Sequence, residues 1–283
     1  MQHYARLSCT PVFPIIDKVI SVSTRPRTSD AAGKANGAET GRRLLDVLLL
    51  FSSSRPTWTI QDISKSLGFS LSTTYRYVSA LKDSGLIDRF DGSQYRVTEL
   101  AFVLAEAARR GLPAVSEIAR ATMQRIRDDV DESVFLARRA GWNVIMIARE
   151  ESKSPVRLQF EPGRPMLLHS GSLSRVLLAA MPEAERERYL SSLAPATRNK
   201  ELLSDTALEL VRRTGDTESF EEVDEGIWGT AAAVITSGEG TFALGCAAPL
   251  YRNDEGRRQH IRTLITEGAR ELTDLLSGST RGM

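Results

Sequence analysis

Between Thr59 and Val97 the chain reads TIQDISKSLGFSLSTTYRYVSALKDSGLIDRFDGSQYRV. Within it Ser70, Ser72, Thr73, Tyr75, Arg76 and Ser79 set short hydroxyls, a phenol and one guanidinium close together. Hydroxyls bond phosphates or base edges, and a guanidinium takes a guanine bidentately or clamps a phosphate. That chemistry suits a surface lying against a polar anion. Arg89 and Arg96 follow in the next segment and extend the cationic character. A second group, His169, Ser170 and Ser172, sits in LHSGSLSRVLLAAM near an acidic run. It raises a hydrolase or transferase as an alternative, but SGSLS lacks the second glycine of the Gly-x-Ser-x-Gly elbow. The three histidines are scattered, and neither metal-ligand spacing nor a phosphate loop occurs, so no metal and no cofactor is expected.

The elements that must position the first group are legible. Apolar residues from Gly41 to Phe51 mark one helix. Thr59 and Asp62 begin a second, with Ile60, Ile63 and Leu67 inward, and Gly68 permits a tight turn. Ser70 caps a third, which runs to about Ser84 and is stopped by Gly85. Two registers are open to it. One buries Leu71, Tyr75, Val78 and the stem of Lys82; the other buries Thr74, Tyr77, Val78 and Leu81. The second is favoured, because Val78 and Leu81 are the strongest anchors. It turns Ser72, Thr73, Tyr75, Arg76 and Ser79 outward near the helix start, where a helix-turn-helix enters the major groove. LIDRFDGSQYRV reads as a hairpin around Asp91-Gly92. Together these make a winged helix-turn-helix. The bland alternative, a solvated helix face or a protein-interaction scaffold with a borrowed winged helix, leaves the clustering of Ser72, Thr73 and Arg76 unexplained.

Beyond Thr98 the pattern mixes helices and strands. TELAFVLAEAARRG is a helix with a Leu100, Leu104, Ala107, Ala108 stripe, and another runs from Pro113 to about Val130. SVFLARR, NVIMIARE, VRLQF, GTAAAVI and FALGCAAPL read as strands; SGSLSRVLLAAM, 183–193, 205–213 and 257–276 read as helices. This is an α+β, sensor-like arrangement. Charge is uneven: residues 1–40 balance at +2, 41–97 at +3 and the remainder at −4, within a total of +1. The basic excess is modest, so affinity for nucleic acid must come from placement of cations. Two cysteines, Cys9 and Cys246, exclude a disulfide framework, and a reducing cytoplasm is the simplest compartment. No apolar run reaches the ~18–20 residues of a membrane span. Residues 1–40 read as a flexible tail, with contact to DNA phosphates as the sharper alternative.

Three segments, LGFSLSTTYRYVSALKDSGLIDRF…YRV, GRPMLLHSGSLSRVLLAAM, and SFEEVDEGIWGTAAAV followed by FALGCAAPL, occur in that order. In this the chain resembles IclR-type bacterial transcriptional regulators over about residues 41–276. The resemblance implies a winged helix-turn-helix over 41–97, a linker helix over 98–112, and a GAF-like α/β effector-binding domain over 113–283. It implies a double-stranded DNA operator, a small organic effector and a homodimer or dimer of dimers, with no catalysis and no membrane. By matching motifs, Ser172 and Leu173 fall at the effector contacts of a helix start. Ser219 falls where Asp is common in the family, Gly229 where Cys or Ser is common, and Gly245 and Ala247 where two Ser are common. Trp228 stands where a polar residue is frequent, and Ala233 where Pro is typical. His169 either bonds an effector anion or fixes the loop. Gly229, Gly245 and Ala247 would free volume on a pocket floor and suit an aromatic or bulky organic acid. Glu221 and Glu222 are expected in a loop or on a solvated edge.

Overall fold

The structure is a computed structural model that describes residues 35–52, 55–110, 115–154, 165–195, 199, 201–236 and 240–279. The tail up to residue 34 and the strand expected at VRLQF lie outside the described residues.

The first unit follows from local signals. Helix α1 (Ala35–Leu48) starts six residues before the expected boundary at 41. Strand β1 (Thr57–Thr59) leads into α2 (Ile60–Leu67), whose cap is Thr59 Oγ1 accepting from the Asp62 amide at 3.1 Å. Gly68 ends α2 in the left-handed region at φ 65°, where a side chain is strained. Ser70 Oγ caps α3 (Leu71–Asp83) by accepting from Thr73 N. Of the two registers, α3 adopts the one that buries Thr74, Tyr77, Val78 and Leu81. Strands β2 (Ile87–Arg89) and β3 (Gln94–Val97) form the wing, and β1 adds to it in the antiparallel order β1-β3-β2. The core gathers Val47, Trp58, Ile63, Tyr77, Leu81 and Ile87.

Helix α4 (Leu100–Arg110) follows the wing directly. Thr98 ties its start down, its amide bonding Leu86 O at 3.0 Å and its hydroxyl bonding Gly85 O at 2.5 Å. Among the described residues the larger apolar side chains of α4 find little cover: Phe102 is 73% exposed, and Leu100, Val103 and Leu104 are exposed beside it.

The second unit comprises α5 (Val115–Val130), β4 (Ser133–Ala140), β5 (Asn143–Glu150), β6 (Met166–Leu167), α6 (Ser172–Ala179), α7 (Glu183–Ser192), α8 (Asp205–Thr214), β7 (Asp216–Phe220), β8 (Ile227–Ile235), β9 (Thr241–Pro249) and α9 (Glu255–Ser279). Its described strands form one antiparallel sheet in the order β6-β5-β4-β9-β8-β7. Alternation along β8 and β9 makes the two faces unlike. Trp228, Val234, Phe242 and Leu244 pack with α5 and α9. Ala231 and Ala243 face the apolar side of α6, α7 and α8, where Val176, Leu177, Leu190 and Leu208 lie. Small residues on that face let α6 approach the sheet closely. Among the described residues no helix is long and apolar enough to cross a membrane.

Trp228 is fully buried in the face that α5 and α9 cover, and its Nε1 donates to Glu218 Oε1 at 3.0 Å. Trp228→Ala should therefore cost about 3–5 kcal/mol of stability, as large-to-small core changes do. Urea denaturation measures this; a cost below about 1 kcal/mol would mean the indole is not core.

Candidate functional site

Two places gather the residues singled out by sequence. The first is the outer face of α3. Ser72, Tyr75, Arg76 and Ser79 are exposed on one stripe at i, i+3, i+4 and i+7. Ser70 is exposed too, but its hydroxyl is engaged locally, donating to Thr73 Oγ1 at 2.9 Å and lying 3.1 Å from Ser72 Oγ. Arg76 lies 5.5 Å from the Tyr77 ring centroid, and among the described residues no carboxylate pairs with it. Arg89 is exposed on β2, likewise with no carboxylate partner described. Arg96 differs. Its Nε and Nη2 donate to Asp88 Oδ1 and Oδ2 at 3.0 and 3.3 Å, and its guanidinium sits 5.2 Å from the Phe90 ring. Arg96 is thus neutralised within the wing, and the hydrogen bond to Asp88 raises its pKa further. Sequence gave no warning, because residues 88 and 96 become neighbours only through the β2–β3 register.

The second place is a cavity of about 50 Å³ between the start of α6 and the sheet. Ser172, Leu173, Ser219, Gly229 and Ala247 line it, with Glu222 and Val223 on its outer side. A Cβ placed on Gly229 would stand 3.0 Å from Ser219 Oγ and 3.1 Å from Ser172 Oγ, so the two hydroxyls converge on this glycine. Ser172 is only 5% exposed, and no hydrogen bond of its hydroxyl is described. The Ser219 hydroxyl makes one long bond, to Gly229 O at 3.4 Å.

Two expectations about this site are corrected, and His169 takes the second of its two readings. Trp228 contributes only the backbone side of β8 here, since its ring belongs to the opposite face. Gly245 frees no pocket volume: a Cβ there would lie 2.7 Å from Thr230 O and 2.8 Å from Leu173 Cδ2, so the Leu173 side chain already fills that space. His169 does not line the cavity. Its Nδ1 lies 2.7 Å from Tyr189 Oη, and burial lowers its pKa, so the ring fixes the loop before α6 as a neutral imidazole. The roomy floor expected from Gly229, Gly245 and Ala247 is therefore a small cavity, far below the ~300–1,000 Å³ of ordinary ligand pockets.

The ion pair beside it, of which Glu222 lines the cavity and Arg175 does not, was missed by sequence. Arg175, in the second turn of α6, is 3% exposed. Its Nη1 donates to Glu222 Oε1, and its Nη2 to Glu218 O and, at 3.4 Å, to Thr217 Oγ1. Glu222 Oε2 accepts from the Gly171 amide at 3.1 Å, and its backbone oxygen accepts from Ser170 Oγ at 2.8 Å. The carboxylate thus sits against both a buried guanidinium and the amide at the positive end of α6. Glu222 lies in a loop, as expected, but its side chain is largely covered, 14% exposed. The usable signal was Arg175 itself, a lone cation inside LSRVLLAAM, since a buried charge requires a partner.

Comparison with known proteins gives consistent matches. Residues 113–274 match the bacterial transcriptional regulator IclR C-terminal domain, and residues 42–89 the IclR helix-turn-helix domain. The regulator SauR of Cupriavidus necator is 27% identical over 157 residues, 53% of this chain and 60% of that protein; the match thus spans less than two thirds of the relative. An IclR family transcriptional regulator from Brucella abortus superposes with a TM-score of 0.70 at 20% identity, covering 87% of this chain and 97% of that one. An IclR homologue from Microbacterium hydrocarbonoxydans, complexed with 4-hydroxybenzoate, gives 0.62 at 23% identity, with 84% and 98% covered. These two likenesses concern the fold.

Two outcomes test the site's construction. Gly245→Ala should destabilise by about 1–3 kcal/mol, the usual cost of overpacking, because backbone at Thr230 must shift; an unchanged urea midpoint would show that both the Thr230 backbone and Leu173 yield without cost. The His169 contribution is complete above the ordinary imidazole pKa of ~6.5 and is lost as pH falls through its lowered folded value. Melting temperatures between pH 7.5 and 5 should then decline less steeply for His169→Gln than for the parent protein.

Proposed function

This chain belongs to the IclR family of bacterial transcriptional regulators, and we propose that it binds an operator in double-stranded DNA with an affinity set by a small organic effector. The observation that carries the reading is the α3 stripe of Ser72, Tyr75, Arg76 and Ser79, exposed and centred on a guanidinium that no carboxylate pairs with among the described residues. Arg76 takes a base edge or phosphate in the major groove, Thr73 and the neighbouring hydroxyls position the helix, and Arg89 approaches the flanking backbone. Arg96 supports the wing through Asp88 rather than acting as a free cation.

The protein acts as a homodimer or dimer of dimers in this reading. The exposed Phe102, Val103 and Leu104 of α4 are what a second copy would cover. Two α3 helices then fall in successive major grooves. The effector enters at Ser172, Leu173, Ser219, Gly229 and Ala247. The hydroxyls support a small polar acid. The homologue complexed with 4-hydroxybenzoate supports an aromatic one, which the 50 Å³ cavity admits only after opening. Coupling of about 1–3 kcal/mol between cavity and head shifts operator affinity by about 5–150-fold.

Fluorescence anisotropy with DNA from upstream of the protein's own gene, against a scrambled duplex, tests the reading. The parent protein should prefer the first, and Arg76→Ala should lose at least about 1 kcal/mol of that preference. Equal, weak binding to both duplexes would overturn operator recognition at that DNA. Asp88→Asn should release Arg96 and steepen the dependence of log K on log salt by about 0.9. An unchanged slope would place Arg96 away from phosphate.

A further inference from the structure

We propose that Glu222 is a resident carboxylate that occupies an anion subsite of the effector cavity, so that an acidic effector binds there by exchanging with it. The inference rests on the effector reading of the same cavity and adds what controls entry to it.

The subsite is built from several independent groups. Arg175, 3% exposed, supplies a guanidinium that stands behind the Glu222 carboxylate and is reached from the cavity only where that carboxylate now sits. Gly171 supplies an amide at the start of α6, held at φ 88°. Ser172 adds a hydroxyl 5% exposed, with no described hydrogen-bond partner, facing the cavity. Such a set binds a carboxylate in the way Glu222 now does, with one oxygen on Arg175 and the other on the Gly171 amide. A buried guanidinium cannot be left without a counter-charge, so Glu222 cannot leave without a replacement, and an acid that joined Arg175 while Glu222 stayed would bury two repelling carboxylates on one cation. Exchange conserves charge at every stage.

The segment that bears Glu222 is suited to moving. Glu221 is held at φ 53°, a left-handed conformation that costs a non-glycine residue free energy, and Gly226 closes the loop at φ 72°. Its neighbour Val223 is half exposed and lies over the helix start, where a Cβ on Gly171 would meet Val223 Cγ2 at 3.0 Å. Withdrawal of Glu222 and Val223 together removes the outer wall of the cavity, and that enlargement is what a ligand bigger than a few waters requires. The lining then selects for a carboxylate over its neutral isostere.

Calorimetric titration of the full chain with benzoate and with benzamide, for the parent protein and Glu222→Gln, tests this. Glu222→Gln keeps the size of the side chain but leaves Arg175 without its counter-charge. Benzoate should bind the variant at least tenfold more tightly than the parent and raise its melting temperature, with no comparable gain for benzamide. The gain should vanish in the double variant Arg175→Gln/Glu222→Gln. Equal benzoate affinity in parent and Glu222→Gln, lost from both on Ser172→Leu, would overturn the exchange and leave the cavity as the effector site. Absence of benzoate binding to every variant would overturn the exchange as well, while release of operator DNA by other compounds still decides the effector reading. Should Glu222→Gln not fold, Glu222→Asp, whose carboxylate falls short of Arg175, must show the same direction of change.

Discussion

A guanidinium buried in an apolar helix needs a counter-charge, and the arrangement around Arg175 depends on how that need is met. The residue is carried inward because α6 lies on the small-residue face of β8 and β9, where Gly229 and Ala231 keep the helix close to the sheet. Closeness removes water from Arg175. Loss of water makes an unpaired charge costly, and Glu222 is drawn in from the loop between β7 and β8. The residue before it, Glu221, stands at φ 53°, with its amide on Ile227 O and its carboxylate accepting from Gly226 N. A pair of this kind adds little net stability, because desolvation offsets most of the attraction. Its effect is to choose one conformation of the loop.

The same sheet shows how one alternation serves two purposes. Trp228 and Gly229 are adjacent in sequence and face opposite sides. One fills a core against α5 and α9; the other leaves the point where two serine hydroxyls meet. Neither could be exchanged for the other without losing both the core and the cavity. The cavity side is made of absences of side chain, and the opposite side carries the bulk.

Legibility followed the range of the interactions. The head was readable because caps and helix periodicity act within a few residues: Thr59, Gly68 and Ser70 mark their helix ends, and Val78 and Leu81 choose the register of α3. Strand β1 escaped notice because three residues, Thr57–Thr59, are too short for alternation to show. Strand β7 escaped because its residues, DTESF, are largely polar and earn their place by pairing with β8. At the cavity, Ser172, Leu173, Ser219, Gly229 and Ala247 were identified through family resemblance, while Trp228 could have been set aside by parity along the strand. The filling of the Gly245 space by Leu173 and the pairing of residues 88 and 96 depend on contacts between distant segments, which no local pattern reports.

The two bonds of Thr98 carry a mechanical implication. They fasten the beginning of α4 to Gly85 and Leu86, the turn that ends α3 and begins the wing. A torque applied to α4 is therefore resisted at its junction with the head by these two bonds. These bonds link the start of α4 to the turn between α3 and the wing, so an angular change along α4 is passed toward the α3 stripe and grows with distance from the pivot.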